Sequence, residues 1–333
     1  MTYRVAVVGA TGAVGTVMRA KLRDRGFPAS EIVPFASERS AGRELDGAIV
    51  QPLSHETIQG FDLAIFSAGG TTSGEWAPRF VDAGAVVVDN SSKWRRDPEV
   101  PLVVAEVNPD ALDDHRGLIA NPNCSTMQLM VALKPIHDAA GIERLIVSTY
   151  QSVSGTGVKA VEELEAQTRA DLNGEPLPEP QVYPHPIAFN VHGGAGNFVD
   201  DHTDEEIKMM FETRKILGDE SIAINVTCAR VPVRNCHSES VTLQTREPLE
   251  VEEARELLSR MPGLTMVEPY PTALSSAGRD DVFVGRLRRD PSHERGLCLW
   301  VVSDNLLKGA ATNAIQIAEV LHERNLVRVP TKV

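Results

Sequence analysis

The segment Asn121-Pro122-Asn123-Cys124-Ser125-Thr126 sets one cysteine among polar residues at the junction of two differently patterned stretches. Before it, Gly117-Leu118-Ile119-Ala120 is short, apolar and strand-like. Pro122 keeps its predecessor out of helical angles, and Met127, Met130, Val131, Lys134 and Pro135 follow at helical spacing towards Ala140. Cys124 is therefore expected at or near a helix N-terminus. Unpaired N–H groups and the positive end of the helix dipole stabilise an anion there, so a thiol with a free pKa of about 8.5 ionises more readily. An arbitrary free cysteine is more often a small buried hydrophobe. The polar neighbours of Cys124 favour a thiolate nucleophile instead.

Three other segments carry groups that could serve such a thiolate. Gln151 ends a strand, Arg144 to Tyr150, and begins the small-residue loop Gln151-Ser152-Val153-Ser154-Gly155-Thr156-Gly157; it could orient an acyl group or lie on the surface. The loop, with Ser154 and Gly155, can approach a ligand through its backbone before a helix from Val158 to Leu172. Glu205 and Lys208 open another helix on one face, three residues apart, which is also the spacing of an ordinary helix ion pair. In Arg230-Val231-Pro232-Val233-Arg234-Asn235-Cys236-His237-Ser238, between two strands, Arg230 could clamp a carboxylate and His237 could exchange protons near neutral pH; a surface histidine is the alternative. Cys236 reads as structural.

The elements that must position these groups begin with a buried strand, Tyr3 to Val8, followed by Gly9-Ala10-Thr11-Gly12-Ala13-Val14-Gly15 and a helix marked by Val14, Val17, Met18 and Leu22. Strand, glycine turn and helix form a dinucleotide site, with helix N–H groups facing the phosphates. The GxxGxxG spacing is shared with plain β–α turns. A second strand, Glu31 to Ala36, ends in Ser37-Glu38-Arg39-Ser40; Arg39 with Ser37 and Ser40 suits a 2′-phosphate, hence NADP, while Glu38 reads as a solvated loop charge, although turned inward it could serve a ribose diol. Strands at Asp62 to Ser67, Ala85 to Asp89 and Leu102 to Val107, separated by segments such as Ser73 to Ala83, predict a doubly wound, mostly parallel sheet. Loops at its carboxyl ends, including Ser67-Ala68-Gly69 and Asn90 to Arg96, should line the cofactor crevice.

Beyond the cysteine segment, strands are expected at Ser240 to Thr245, Val282 to Arg288 and Leu297 to Ser303, with a helix at Val251 to Arg260. A last helix from Asn305 to Arg324 is expected to return to the first domain and touch the cofactor at Asn305. The proline-rich stretch Asn173 to Pro186 reads as a long irregular excursion.

With 333 residues the chain suggests two domains, and 42% hydrophobic content fits a soluble globular protein. A net charge of −13 argues against a nucleic-acid or anionic-membrane partner. The four cysteines show no CxxC pair for zinc or redox chemistry, and no metal site is expected. A start that leads straight into a strand, and the absence of any apolar run near 20 residues, place the expected location in the cytoplasm.

Together, GATGAVG from Gly9, NPNCST around Cys124, QSVSGTG from Gln151, EEIKM from Glu205, RVPVRNCHSES from Arg230 and DNLLKGAATNA from Asp304 resemble the aspartate-semialdehyde dehydrogenase family over nearly the whole chain. NPNCST followed by the Arg230 segment is the specific combination. The resemblance implies an α/β protein with an NADP-binding Rossmann domain, 1–123 plus 305–333, and an α+β catalytic and dimerisation domain, 124–304. It implies Cys124 as the thioacyl-forming nucleophile, His237 as acid/base, Gln151 as the residue orienting the intermediate, Arg230 as the clamp for the substrate α-carboxylate and Glu205 as acceptor for its amino group. Lys208 and Arg95 match the phosphate site, with Asn123 nearby and Arg96 the neighbouring candidate.

The implied activity is reductive dephosphorylation of L-4-aspartyl phosphate to L-aspartate 4-semialdehyde in the lysine, threonine and methionine branch, by a homodimer or homotetramer. Two rivals are an N-acetyl-glutamyl-phosphate reductase, whose acetylated substrate has no use for Glu205, and a non-catalytic dinucleotide-binding paralogue, which has no use for Cys124, Gln151, Arg230 and His237 together.

Overall fold

The computed structural model describes residues 1–328. Its first elements are β1 (Tyr3–Val8), α1 (Ala13–Asp24), β2 (Ala29–Phe35), a hairpin of β3 (Glu44–Leu45) and β4 (Ala48–Ile49), β5 (Leu63–Phe66), α2 (Gly69–Asp82), β6 (Val86–Asp89) and β7 (Leu118–Ala120). There follow α3 (Cys124–Ala140), β8 (Ile142–Gln151), α4 (Val158–Leu172), β9 (Phe198–Val199), β10 (His202–Thr203), α5 (Asp204–Leu217), β11 (Ala223–Arg230) and β12 (His237–Thr245). The chain ends with α6 (Val251–Arg260), β13 (Leu264–Met266), α7 (Ala273–Ser276), β14 (Val282–Arg289), β15 (Gly296–Ser303) and α8 (Thr312–Glu323). Two compact units result: Met1–Asn123 with the chain from Ala310 onward, and Cys124–Gly309. The second crossing falls at Ala310, against residue 305 expected from the sequence.

The first unit is built on a parallel sheet of order β2-β1-β5-β6-β7. Its inner strands are buried throughout, which is why Leu63-Ala64-Ile65-Phe66 and Val86-Val87-Val88 are continuously apolar rather than alternating. Val5, Val7, Ile65 and Val88 pack on one face with Met18 and Leu22 of α1 and Ile315 and Leu321 of α8. Ala6, Val8, Phe66 and Val87 pack on the other with Ala77 and Phe80 of α2. This is the doubly wound, Rossmann-like arrangement.

The strand expected at Leu102 to Val107 is not formed. Only Leu102 bridges to Ala120, and the chain then turns. Pro101 contributes a carbonyl but no N–H to the edge, and Asn108 accepts from Val104 N–H at 2.9 Å while donating to the Leu102 carbonyl at 2.9 Å. The asparagine side chain thus takes backbone groups that a ladder would have used. Buried apolar residues made the segment look like a strand, and β7 pairs with β6 in its place.

The second unit carries a mixed sheet of order β11-β8-β12-β15-β14-β13, parallel at its outermost pairs and antiparallel between. Along β12 buried and half-buried residues alternate, and the buried face lies under α3, which packs against β8, β12, β14 and β15. Thr203 and Glu206 form a reciprocal capping box that fixes where α5 begins. The proline-rich segment after α4 is irregular, as its composition requires. Among the described residues, no helix is long and apolar enough to cross a membrane.

Candidate active site

α3 starts at Cys124 itself, so the thiol occupies the first helical position. There the positive end of the helix dipole favours an anion. The cysteine is half-buried. Gly309 closes one side of it: a Cβ at that position would lie 2.9 Å from Cys124 Cβ and 3.3 Å from its Cα. Gly309 belongs to a single π-helical turn, Leu307–Ala311, ahead of α8. Such one-turn irregularities often occur at functional positions.

Strand register assembles the remaining groups. Arg230 pairs with Gln151 at the ends of β11 and β8, and His237 pairs with Ser303 at the start of β12. Ser238 opposite Tyr150 puts His237 at the level of Gln151. Arg230, Gln151 and His237 therefore form one transverse row on the buried face of the sheet. Gln151 donates Nε2 to Ser125 Oγ at 3.2 Å, next in sequence to the thiol. Arg230 donates Nη1 to the Ser152 carbonyl at 2.7 Å, while its Nε is buried without a hydrogen-bond partner, a donor placed for an anion.

A cavity of about 560 Å³ opens beside this row, with Arg230, Gly155, Glu205, Tyr183, His192 and Asn197 in its wall. Gly155 lies tight against the row, since a Cβ there would be 3.1 Å from His237 Nε2 and 3.3 Å from Arg230 Nη1. Burial, then the Arg230 guanidinium, push the His237 imidazole down to about 3, so it is neutral at physiological pH. Burial pushes the Cys236 thiol up to about 12, in keeping with a structural role.

Glu205 and Lys208 form the ion pair that their spacing allows. Lys208 Nζ lies 2.7 Å from Glu205 and 3.2 Å from Asp204. Burial opposes the ammonium charge, but the two carboxylates outweigh it and hold the Lys208 pKa above its ordinary value. Glu205 thus combines a structural pair with a place in the cavity wall.

The cofactor candidates of the first unit meet at the carboxyl end of its sheet. Gly9 has φ +84°, and a Cβ on it would lie 2.3 Å from the Ser67 carbonyl oxygen; one on Gly15 would lie 2.2 Å from the Gly9 carbonyl oxygen. Only glycine permits this turn. Gly12 caps α1 without any side-chain hydrogen bond, and Thr11, Gly12 and Ala13 are exposed, with Val14 half-buried behind them. The helix end is thereby open to an anion, which fits a dinucleotide phosphate. Arg19, buried in α1, donates Nε to the Ala10 carbonyl at 3.2 Å and steadies the turn.

Ser37, Glu38 and Arg39 are exposed and Ser40 half-buried at a short turn after β2. Gly69 begins α2 just after Ser67. Arg95 is buried and donates Nη2 to the Asn90 carbonyl at 3.0 Å, whereas Arg96 is exposed; Asn123, the last residue of the unit before the cysteine, is buried.

Asn305, Ser154 and Gly155 lie in the second unit. Asn305 Oδ1 accepts from Cys236 N–H at 2.9 Å and from Ser152 and Ser154 hydroxyls at 3.1 Å each. Ser152, Ser125 and Gly309 were not singled out by sequence reasoning: their partners lie far along the chain, and only the small-residue loops that contain them gave any signal. Among the described residues, no group of His, Cys, Asp and Glu is placed to hold a metal ion.

Residues 4–115 match the family described as semialdehyde dehydrogenase, NAD binding domain, and residues 133–308 match its dimerisation domain. The chain is similar to the aspartate-semialdehyde dehydrogenase of Aquifex aeolicus, 52% identical over 98% of this chain and 100% of the relative. Its fold is similar to that of aspartate semialdehyde dehydrogenase II from Vibrio cholerae solved as a complex with ASA, with TM-score 0.93 and 47% identity over 97% of this chain and 99% of the other. The Candida albicans aspartate semialdehyde dehydrogenase solved with NADP aligns with TM-score 0.76 and 25% identity over 98% of this chain and 100% of the other.

Proposed function

The chain belongs to the aspartate-semialdehyde dehydrogenase family, and we propose that it catalyses the NADP-dependent reductive dephosphorylation of L-4-aspartyl phosphate to L-aspartate 4-semialdehyde through a thioacyl enzyme on Cys124. The observation that carries this reading is the meeting, within one unit, of a thiol at a helix N-terminus with the Arg230, Gln151 and His237 row and a cavity that Glu205 shares.

Arg230, with a buried donor and a planar fork, suits the substrate α-carboxylate. Glu205, across the same cavity, suits the α-ammonium and distinguishes a free from an acylated amine. The Cys124 thiolate attacks the acyl carbon, and the carbon–oxygen bond to phosphate breaks with its electron pair on phosphate. Arg95, Lys208 and Asn123 are assigned to that phosphate. Gln151, anchored on Ser125, orients the thioester, and His237 serves the oxygen that becomes negative at each tetrahedral stage.

The glycine turn, Ser67, Gly69 and the Ser37 to Ser40 turn would hold the dinucleotide, with Arg39 beside a 2′-phosphate; Ser154, Gly155 and Asn305 are the candidates from the second unit. When bound, the reduced nicotinamide supplies the hydride that turns thioester into aldehyde. A second copy of the chain is the expected partner, giving a cytoplasmic homodimer or homotetramer.

The test is an assay of the purified protein with aspartate semialdehyde and N-acetylglutamate semialdehyde, each with NADP and NAD and with phosphate. Preference for aspartate semialdehyde and NADP is expected. Equal turnover of the acetylated substrate would remove the role of Glu205, and preference for NAD that of Arg39.

A further inference from the structure

The segment after β2 opens with the Ser37 to Ser40 turn and is pinned at two places. At its base, Ala36 N–H donates to the Gln51 carbonyl at 3.2 Å and Gln51 N–H to the Pro34 carbonyl at 2.8 Å. At its far end the β3–β4 hairpin turns on Asp46 and Gly47, with φ +53° and +81°. Asp-Gly with both angles positive is a favoured pair for a two-residue hairpin turn. From that tip the Asp46 carboxylate reaches α1, where its Oδ2 accepts from Arg19 Nη1, and from Arg23 Nη2 at 2.6 Å. Arg19 and Arg23, one turn apart, share a face of the helix.

Asp46 and Arg23 are exposed, but Arg19 is buried. A guanidinium is costly to remove from water unless its donors are used. Arg19 uses its fork at two ends: Nε donates to the Ala10 carbonyl inside the glycine turn at 3.2 Å, and Nη1 to the hairpin carboxylate. Main-chain bonds tie the same glycine turn to the end of β2, since Gly9 and Ala10 N–H both donate to the Phe35 carbonyl, at 2.9 and 3.0 Å. The Ser37 to Ser40 turn therefore lies between two attachments to the glycine turn, one through β2 and one through Arg19. We propose that Arg19 and Asp46 are positioning residues for the cofactor, forming a clamp that fixes the Ser37 to Ser40 turn relative to the glycine turn and so favours NADP over NAD.

The proposal rests on the placing of a 2′-phosphate beside Arg39 in the function proposed above. A ligand that carries both a pyrophosphate and a 2′-phosphate gains fully from the second contact only when the two turns are already spaced for it. Otherwise the ordering of a loose segment is subtracted from its binding. NAD has no 2′-phosphate and draws nothing from the second turn, so it is indifferent to the clamp. An ion pair that served the fold alone would support both dinucleotides equally.

The test uses the full-length protein and Arg19→Met, Arg19→Lys, Asp46→Gly and the Arg19→Met, Asp46→Gly double variant. Glycine accepts the φ of position 46, so the turn is retained. Titration calorimetry without substrate gives the Kd of NADP and of NAD. Hydrogen exchange of the cofactor-free protein is followed on peptides spanning 37–50, where Gly42 N–H donates to the Val50 carbonyl at 2.9 Å and Val50 N–H to the Arg43 carbonyl at 2.8 Å. It is compared between the parent and Arg19→Met, whose hairpin sequence is unchanged.

Each single variant should bind NADP about 3- to 30-fold more weakly and NAD within about twofold of the parent, and the double variant should lose little more than either single one. Arg19→Lys keeps the charge without the fork and should behave as Arg19→Met does. Exchange over 37–50 should be faster in Arg19→Met. Equal weakening of both dinucleotides, additive losses in the double variant, parental NADP binding in Arg19→Lys, or unchanged exchange would overturn the proposal. A parent that prefers NAD would instead overturn the 2′-phosphate assignment. The exchange rates, read without ligand, would still decide whether the clamp holds the turn.

Discussion

At Cys124 a side chain, a helix end and a close glycine meet, and each has its own consequence. Replacing the thiol with Cys124→Ala should lower phosphate-dependent NADP reduction by about 10⁴-fold or more while near-ultraviolet circular dichroism and melting stay close to the parent, because loss of a nucleophile disables all the groups that act with it. Retained activity would contradict a covalent route. Arg39, exposed on its turn, should contribute one charge-assisted contact of about 1.5–3 kcal/mol to a 2′-phosphate. Arg39→Ala is then expected to lower kcat/KM with NADP by about 10- to 100-fold and leave that with NAD nearly unchanged; parallel losses with both cofactors would mean a structural role. The helix start at Cys124 was legible in the sequence because Pro122 and the apolar spacing after it are local signals. The Ser152–His237 contact was not, since a hydrogen bond between residues 85 apart leaves no mark in either neighbourhood.

Between elements, spacing is set by a few close approaches. Gly309 has room for no side chain against Cys124, so Gly309→Ala must move the π turn or the start of α3. A displacement of about 1 Å at a nucleophile can cost about 100-fold. The variant should show a kcat reduced by about 10- to 100-fold and a changed alkylation rate of Cys124 by iodoacetamide; parental values for both would show that the turn yields without touching the thiol.

Two residues along β12 from His237, on the same buried face, lies Glu239, opposite Thr149, fully buried and with neither carboxyl oxygen hydrogen-bonded. Burial raises its pKa well above the ordinary value, outweighing a favourable interaction with Gln128, one turn after Cys124 on α3. The folded protein therefore holds this proton while the unfolded chain releases it near pH 4.3. Its stability contribution is complete below that pH and is lost as pH rises towards the folded value, by at most about 1.4 kcal/mol per pH unit for one proton. Glu239→Gln removes the dependence. Denaturant melts should show the variant gaining on the parent from pH 5 to pH 8, whereas a constant difference would mean that Glu239 is ionised in the fold. Sequence alternation could mark Glu239 as facing the same way as His237, but the lid that α3 forms over it comes from tertiary packing.

In the whole molecule, the glycine turn open to an anion belongs to the first unit and the thiol with its row to the second. Most of this architecture could be read from βα alternation, because apolar runs bounded by glycine turns specify a parallel sheet. Leu102 to Val107 misled because burial alone resembles a strand, whereas the side chains of Asn108 and Asn313 take its backbone groups. The homo-oligomer proposed here should appear in sedimentation equilibrium at twice or four times the chain mass; a monomer at enzyme-assay concentrations would remove it.

In the proposed reaction Cys124 carries the acyl group between phosphate and hydride, and one measurement separates these halves. The enzyme is mixed with 4-aspartyl phosphate in the absence of NADPH, and both released phosphate and intact protein mass are followed. A burst approaching one phosphate per chain is expected, with one aspartyl group attached through Cys124 and neither event in Cys124→Ala. Phosphate released only after NADPH is added, or a burst that survives in Cys124→Ala, would contradict it.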